Sequence, residues 1–228
     1  MSSNKLNPTF ASDDQQMSSE RGMLIVVSSP SGGGKGTLIQ RALKIAPDVS
    51  YSVSYTTRAP REGEVDGREY SFVSVETFRA METAGELLES AVVHGNLYGT
   101  SLARVEEELS AGRDIMLEID VQGAENVRKL VPDAVMIFIL PPTFQILSDR
   151  LKARGSESPD ELALRLSNSR HEVLAYRQFD YIIINDEIDR ASNQLAAIVY
   201  AERARFKRQE SAAKRVVATF VETAEDKG

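Results

Sequence analysis

The stretch Leu24-Ile-Val-Val-Ser-Ser-Pro-Ser-Gly-Gly-Gly-Lys-Gly-Thr37 passes from an unbroken apolar run into a glycine cluster, a lysine and then a helical pattern over Leu38 to Ile45. Such a run reads as a strand buried on both faces, and the order strand, glycine loop, helix is the setting of a phosphate-binding loop. Gly32, Gly33 and Gly34 let successive backbone N–H groups converge on one anion, and the start of the helix adds partial positive charge there. Lys35 is placed to bridge the outer phosphates of a triphosphate, with Ser31, Gly36 and Thr37 completing the loop. The pattern G-x-x-x-x-G-K-[ST] is not met letter for letter, because Ser29 stands at its first glycine and Gly36 at the hydroxyl position. A plain strand-to-helix turn with a surface lysine would not need three consecutive glycines, each of which costs stability. The ligand expected from these residues is a nucleotide.

Composition narrows the field. The chain has 228 residues, 42% apolar and 27% charged, enough for one α/β core with insertions. It has no cysteine, and His94 and His171 are its only histidines, which excludes disulfides and argues against structural zinc. The longest apolar run, Ala134 to Leu140, is too short to span a bilayer. Residues 1–21 are polar and read as a disordered extension rather than a signal peptide. A cytoplasmic protein is expected. The formal charge of −7 argues against a general nucleic-acid binder. Arg203, Arg205, Lys207, Arg208, Lys214 and Arg215 cluster locally, without interleaved aromatics, and read as a solvated helix face.

Apolar strands are predicted at Met23–Ser28, Asp114–Ile119, Ala134–Leu140 and Tyr181–Asn185, each buried on both faces. Helices are predicted at Lys35–Ala46, Val121–Leu130, Thr143–Arg154 and Ile188–Arg208. This alternation is that of a parallel sheet covered by helices, with ligands at the carboxyl ends of its strands. Core segments are expected at 22–53, 113–142 and 171–228, the last with a C-terminal helix. Residues 54–112 exceed any ordinary crossover and must carry structure of their own, an inserted α+β subdomain. Residues 143–170 are helical and arginine-rich and read as a lid.

The loop Ser54-Tyr-Thr-Thr-Arg58-Ala-Pro-Arg61 sets two guanidinium groups three residues apart, a spacing that admits a phosphate between them. Alone, these arginines read equally well as solvated loop charges. Glu118 and Asp120, two apart at the end of a strand, face the same way, toward the site expected there.

The chain resembles the guanylate kinase family in Ser28-Ser-Pro-Ser-Gly-Gly-Gly-Lys-Gly-Thr37, Ser54-Tyr-Thr-Thr-Arg-Ala-Pro-Arg61, Gly63-Glu-Val-Asp-Gly67, Gly95-Asn-Leu-Tyr-Gly-Thr100 and Asp120-Val-Gln-Gly123, in that order. The resemblance implies a fold of the P-loop NTPase type and ATP-dependent, Mg2+-assisted phosphoryl transfer to GMP, and to dGMP, giving GDP and ADP. By similarity, Arg58, Arg61, Tyr70 and Tyr98 hold the GMP phosphate, while Ser54, Glu89 and Thr100 read the guanine. A carboxylate accepts from guanine N1–H and the exocyclic amine together, whereas adenine N1 would repel it. Lys35, Arg150, Arg154 and Arg165 are the expected catalytic cations, the arginines closing over the ATP phosphates. Asp120 is expected beside the acceptor base or a metal-bound water. Glu118 stands where the family more usually has aspartate and is expected near Mg2+ through water.

At position 36 the family usually has serine, whereas adenylate kinases have the same Lys-Gly-Thr. Phosphates and water would then carry the Mg2+ here, with Thr37 on an inner phosphate. Two rivals stay open: an interaction module of the same fold that has lost catalysis, and a kinase for another phosphorylated acceptor. Association with further copies of itself is also left open.

Overall fold

The structure is a computed structural model that describes residues 21–93, 95–153 and 158–225, with side chains to residue 220. The extension expected over 1–21 falls outside these residues except for Arg21, which pairs with Glu106. Strand β1 (Leu24–Ser28) is buried along its whole length and ends in the glycine loop from which α1 (Lys35–Ile45) starts. Beside it lie β7 (Ile115–Glu118) and β8 (Val135–Leu140). Beyond those come β2 (Ser50–Ser52) and β9 (Tyr181–Ile184), giving the order β2-β7-β1-β8-β9 with every pairing parallel.

Successive side chains of a strand point to opposite faces, so β1 serves two cores. Ile25 and Val27 pack with Leu38, Ile39 and Ala42 of α1 and with Leu195, Ala196 and Val199 of α7 (Ile188–Arg203). Leu24 and Val26 pack with Val105 and Leu109 of α3 (Leu102–Ser110) and with Ala124 and Val127 of α4 (Val121–Leu130). Helices on both faces are what an apolar run without alternation requires.

Strand β9 departs from that expectation. Ile183 is buried, but Ile182 and Ile184 are each 41% exposed, so this edge strand is covered on one face only. The helix expected over Ile188–Arg208 is also two helices. Buried positions recur in α7 as far as Glu202, after which Phe206 is 74% exposed and no packing face holds the chain on course. The Ala204 N–H bonds back to the Tyr200 and Ala201 carbonyls, and α8 (Phe206–Glu225) sets out afresh. Cations here are engaged by acids: Arg203 with Asp48 and Asp114, Arg205 with Glu202, Lys207 with Asp133.

The insertion forms a second, mixed sheet of order β4-β3-β6-β5 from β3 (Tyr55–Thr56), β4 (Ser71–Phe72), β5 (Leu87–Val93) and β6 (Asn96–Ser101), with α2 (Val75–Ala84) alongside. Strands β5 and β6 are antiparallel, in a register that sets Glu89 opposite Thr100. Leu88, on the other face of β5, joins the core beneath α3 and α4 and ties this sheet to the main one. Helices α5 (Phe144–Ala153) and α6 (Pro159–Glu172) follow β8; Ser158 and Glu161 cap α6 reciprocally. Among the described residues no helix is long and apolar enough to cross a membrane.

Candidate active site

The glycine loop closes at the carboxyl end of β1. Gly32 and Gly34 have φ of 85° and 84°, a left-handed backbone that favours glycine. A Cβ on Gly34 would stand 2.5 Å from Asn185 Nδ2. That amide donates to the Gly33 carbonyl at 2.9 Å and so braces the loop from behind. Arg150 reaches the same place: Nη2 donates to the Asn185 carbonyl at 2.9 Å and Nη1 to Gly33 O at 3.4 Å. The Ser31 N–H donates to Glu172 Oε2 at 2.8 Å. Lys35 lies across the mouth of the loop, its Nζ donating to the Ile119 carbonyl at 2.8 Å. Thr37 is exposed on the first turn of α1.

At the end of β7, Glu118 Oε2 accepts from the Tyr51 hydroxyl at 3.0 Å. Burial, and then the charge of Glu118, push the Tyr51 phenol well above its ordinary value, so it stays protonated as the donor of this bond. Asp120 Oδ1 accepts from the Gly123 N–H at 2.9 Å and caps α4. No group of three or more acidic, histidine or cysteine side chains able to hold a metal occurs among the described residues. A pair of carboxylates such as Glu118 and Asp120 instead suits a Mg2+ that arrives on phosphate oxygens and keeps several of its waters.

In the inserted sheet, Glu89 is 6% exposed, and Thr100 Oγ1 donates to its Oε1 at 2.7 Å. Burial pushes Glu89 up to about 7, against the pull of the Thr100 hydrogen bond and with the help of the nearby Asp120 charge. Gly123 makes this placement possible, since a Cβ there would stand 2.6 Å from Glu89 Oε2. The Arg58 guanidinium forks onto Glu64, Nη1 to Oε2 and Nη2 to Oε1, both at 2.9 Å, and lies against the Tyr70 and Phe72 rings. Arg58 Nε is buried and has no hydrogen-bond partner. Glu64 also accepts from the Arg61 N–H at 2.7 Å. Burial alone would raise the Glu64 carboxyl, yet these donors hold it below its ordinary value. Burial pushes the Tyr70 phenol up.

These residues share one cleft of about 170 Å3. Ser54, Arg58, Arg61, Tyr70, Glu89 and Tyr98 line it from the inserted segment, and Lys35, Glu118, Asp120 and Arg165 from the rest of the fold. Thr100 joins it through Glu89. Arg150 does not line the cleft but stands behind the loop, and Arg154 lies outside the described residues. A larger hollow of about 1040 Å3 opens at the opposite, amino-terminal end of the strands, beside Gly22, Ala134 and Tyr181, and contains none of the expected site residues.

Four neighbours of the site are not among the residues singled out from the sequence. Asn185 follows directly on an apolar strand, at the carboxyl end where such sheets gather ligand groups, and that position was a usable signal. Glu64 lies inside the quoted Gly63-Glu-Val-Asp-Gly67 motif. Glu172, 141 positions from Ser31, and Tyr51, 67 positions from Glu118, have no local signature.

The guanylate kinase family profile matches residues 21–202. A guanylate kinase of Aromatoleum aromaticum is 50% identical over 188 residues, 82% of this chain and 92% of that protein. One of Thiobacillus denitrificans is 51% identical over 188 residues, with 82% and 90% covered. Among solved structures, guanylate kinase from Anaplasma phagocytophilum superposes with a TM-score of 0.71 at 33% identity, covering 83% of this chain and 90% of that one.

Proposed function

The chain belongs to the guanylate kinase family of nucleoside monophosphate kinases, and from that premise we propose that it transfers the γ-phosphoryl group of ATP to GMP, and to dGMP, with Mg2+. The observation that carries this reading is the buried Glu89, bonded to Thr100 and sharing one cleft with Lys35, Arg58 and Arg61. In the ionised form Glu89 accepts from guanine N1–H and the exocyclic amine, while the Ser54 hydroxyl, and that of Thr100 when it turns from Glu89, donate to O6 and N7. Arg58 and Arg61, with Tyr70 and Tyr98, hold the acceptor phosphate. The Arg58 fork is engaged by Glu64, so phosphate binding shares or displaces that carboxylate.

On the donor side, the N–H groups of Gly32 and of Gly34 to Thr37 cradle the ATP phosphates, those of Ser31 and Gly33 being donated to Glu172 and to the Pro30 carbonyl. Lys35 leaves the Ile119 carbonyl to bridge the donor and transferred groups, and Arg165, with Arg154 and with Arg150 once it leaves the Asn185 carbonyl, balances the charge of the transferred phosphoryl. Glu118 and Asp120 would hold Mg2+ through its waters. The chemistry such an ion would supply there is positive charge against the phosphates. The bond from phosphorus to the β–γ bridging oxygen breaks as one from an oxygen of GMP forms, leaving ADP and GDP. Closure of residues 143–170 over the cleft excludes water that would otherwise hydrolyse ATP. Such an enzyme serves purine nucleotide metabolism and GMP recycling in the cytoplasm.

An ADP-release assay with ATP and Mg2+, offering GMP, AMP, CMP and UMP in turn, tests this reading. Turnover with GMP alone supports it. Silence with every acceptor from folded protein would favour an interaction module, and turnover only with a non-nucleotide phosphate ester would favour a related kinase.

A further inference from the structure

Gly36 is not required by its own backbone: unlike Gly32 and Gly34, it has no left-handed φ. Its neighbour makes the choice intelligible. A Cβ on residue 36 would stand 3.4 Å from Glu118 Oε1 and 3.5 Å from Oε2, ordinary van der Waals contact, so a methyl group fits there. A hydroxyl on that Cβ would fall within reach of the carboxylate. Donating to it would turn both groups toward each other and away from the phosphates. The carboxylate is itself fixed, because the Tyr51 hydroxyl donates to Oε2 at 3.0 Å. Tyr51 sits on β2 in register with Met116 of β7, two residues before Glu118 on the same face of the sheet. A phenol is long enough to reach along the edge of the sheet to that carboxylate.

We propose that Tyr51, Glu118 and Gly36 work as one unit. Tyr51 is a positioning residue that holds the Glu118 carboxylate over the first turn of α1. There Glu118 supplies the oxygen that a hydroxyl after the lysine supplies in loops of the G-x-x-x-x-G-K-[ST] pattern, as an acceptor for the hydrated Mg2+ of the donor nucleotide. Glycine at 36 keeps that carboxylate free. The residue after the lysine and the residue at 118 are therefore coupled choices, and restoring serine at 36 alone harms the site.

The inference rests on the kinase reading for its catalytic meaning, but calorimetric binding of ATP alone, with Mg2+ or with chelator, tests it without GMP. For the natural chain Mg2+ tightens ATP binding. Tyr51→Phe is expected to cut that gain by about tenfold, the worth of one hydrogen bond to a charged group, while Kd for metal-free ATP and KM for GMP stay within about twofold. Gly36→Ser is expected to cut it similarly when Glu118 is present and by less than about twofold in the Glu118→Asp background, where the shorter carboxylate withdraws. An unchanged gain in Tyr51→Phe, an equal loss of metal-free and metal-bound affinity in that variant, or equal effects of Gly36→Ser in both backgrounds would overturn the proposal. If Tyr51→Phe does not fold, the Gly36→Ser comparison decides alone. Failure to phosphorylate GMP by a chain that shows the coupling would sink the functional reading and leave this unit standing.

Discussion

The Thr100 hydroxyl donates to Glu89 Oε1 at 2.7 Å across the antiparallel pair β5 and β6, inside a carboxylate environment that is 6% exposed. The register of two strands thus sets the group that distinguishes guanine from adenine in this account, and burial keeps it from being saturated by water.

That burial has a stability cost with a defined sign. Folded, Glu89 keeps its proton to about pH 7, against an ordinary value of 4.5. Between those values the folded chain holds the extra proton, so stability falls as pH rises through the window. By pH 8 the cost is on the order of 3 kcal/mol. Glu89→Gln keeps an acceptor for Thr100 and carries no charge. Its thermal midpoint should exceed that of the natural chain at pH 8, with the difference gone by pH 4, as thermal scans in a pH series will show.

The same variant separates stability from function. The natural chain should gain kcat/KM for GMP as pH rises to about 7 and Glu89 ionises, then level off. Glu89→Gln should lack that rising limb, raise KM for GMP and lower the preference for GMP over AMP by about a hundredfold or more. An unaltered GMP preference would remove Glu89 from base recognition.

Gly123→Ala tests the packing that places Glu89. The added methyl group would sit 2.6 Å from Oε2 and must push the carboxylate aside. KM for GMP should rise by about tenfold or more while KM for ATP stays the same, a misplacement effect of the usual size. Equal changes in both constants would mean that α4 as a whole has shifted.

Much of this was legible in the sequence because it is local. The apolar run from Leu24, the glycines and Lys35 are neighbours in the chain, and their geometry follows from strand and helix periodicity. Glu89 and Thr100 carry no local signal: each is an ordinary strand residue until the register of β5 and β6 pairs them, and only resemblance singled them out. Tyr51 acts through a tertiary contact, and a three-residue edge strand reading Ser-Tyr-Ser has no apolar run to announce it. Strand β9 misled because Tyr-Ile-Ile-Ile reads the same whether helices cover one face or two. The break between α7 and α8 has neither glycine nor proline to mark it, since the sheet simply ends beneath it.

Lys35→Met removes the cation that spans the loop and the Ile119 carbonyl. Turnover with GMP should fall by about a thousandfold or more, the scale of losing a charge-stabilising donor at the transferred group. The circular dichroism spectrum and thermal midpoint should be nearly unchanged, because this lysine makes its bond at the surface of the cleft.

Arg58→Lys keeps the charge but loses the fork that now holds Glu64. A single ammonium cannot serve Glu64 and a phosphate in paired geometry, so KM for GMP should rise by about tenfold with little change in kcat. A fall in kcat at constant KM, read from initial rates at saturating ATP, would place Arg58 at the transferred phosphoryl group instead.

The ratio of kcat/KM for GMP to that for AMP, measured on the natural chain at pH 8 with saturating ATP and Mg2+, decides whether the buried Glu89 selects guanine. A site whose buried carboxylate pairs with guanine N1–H and amine should give a ratio on the order of 10⁴ or more. A ratio near one, or no phosphorylation of GMP by folded protein, would contradict the account.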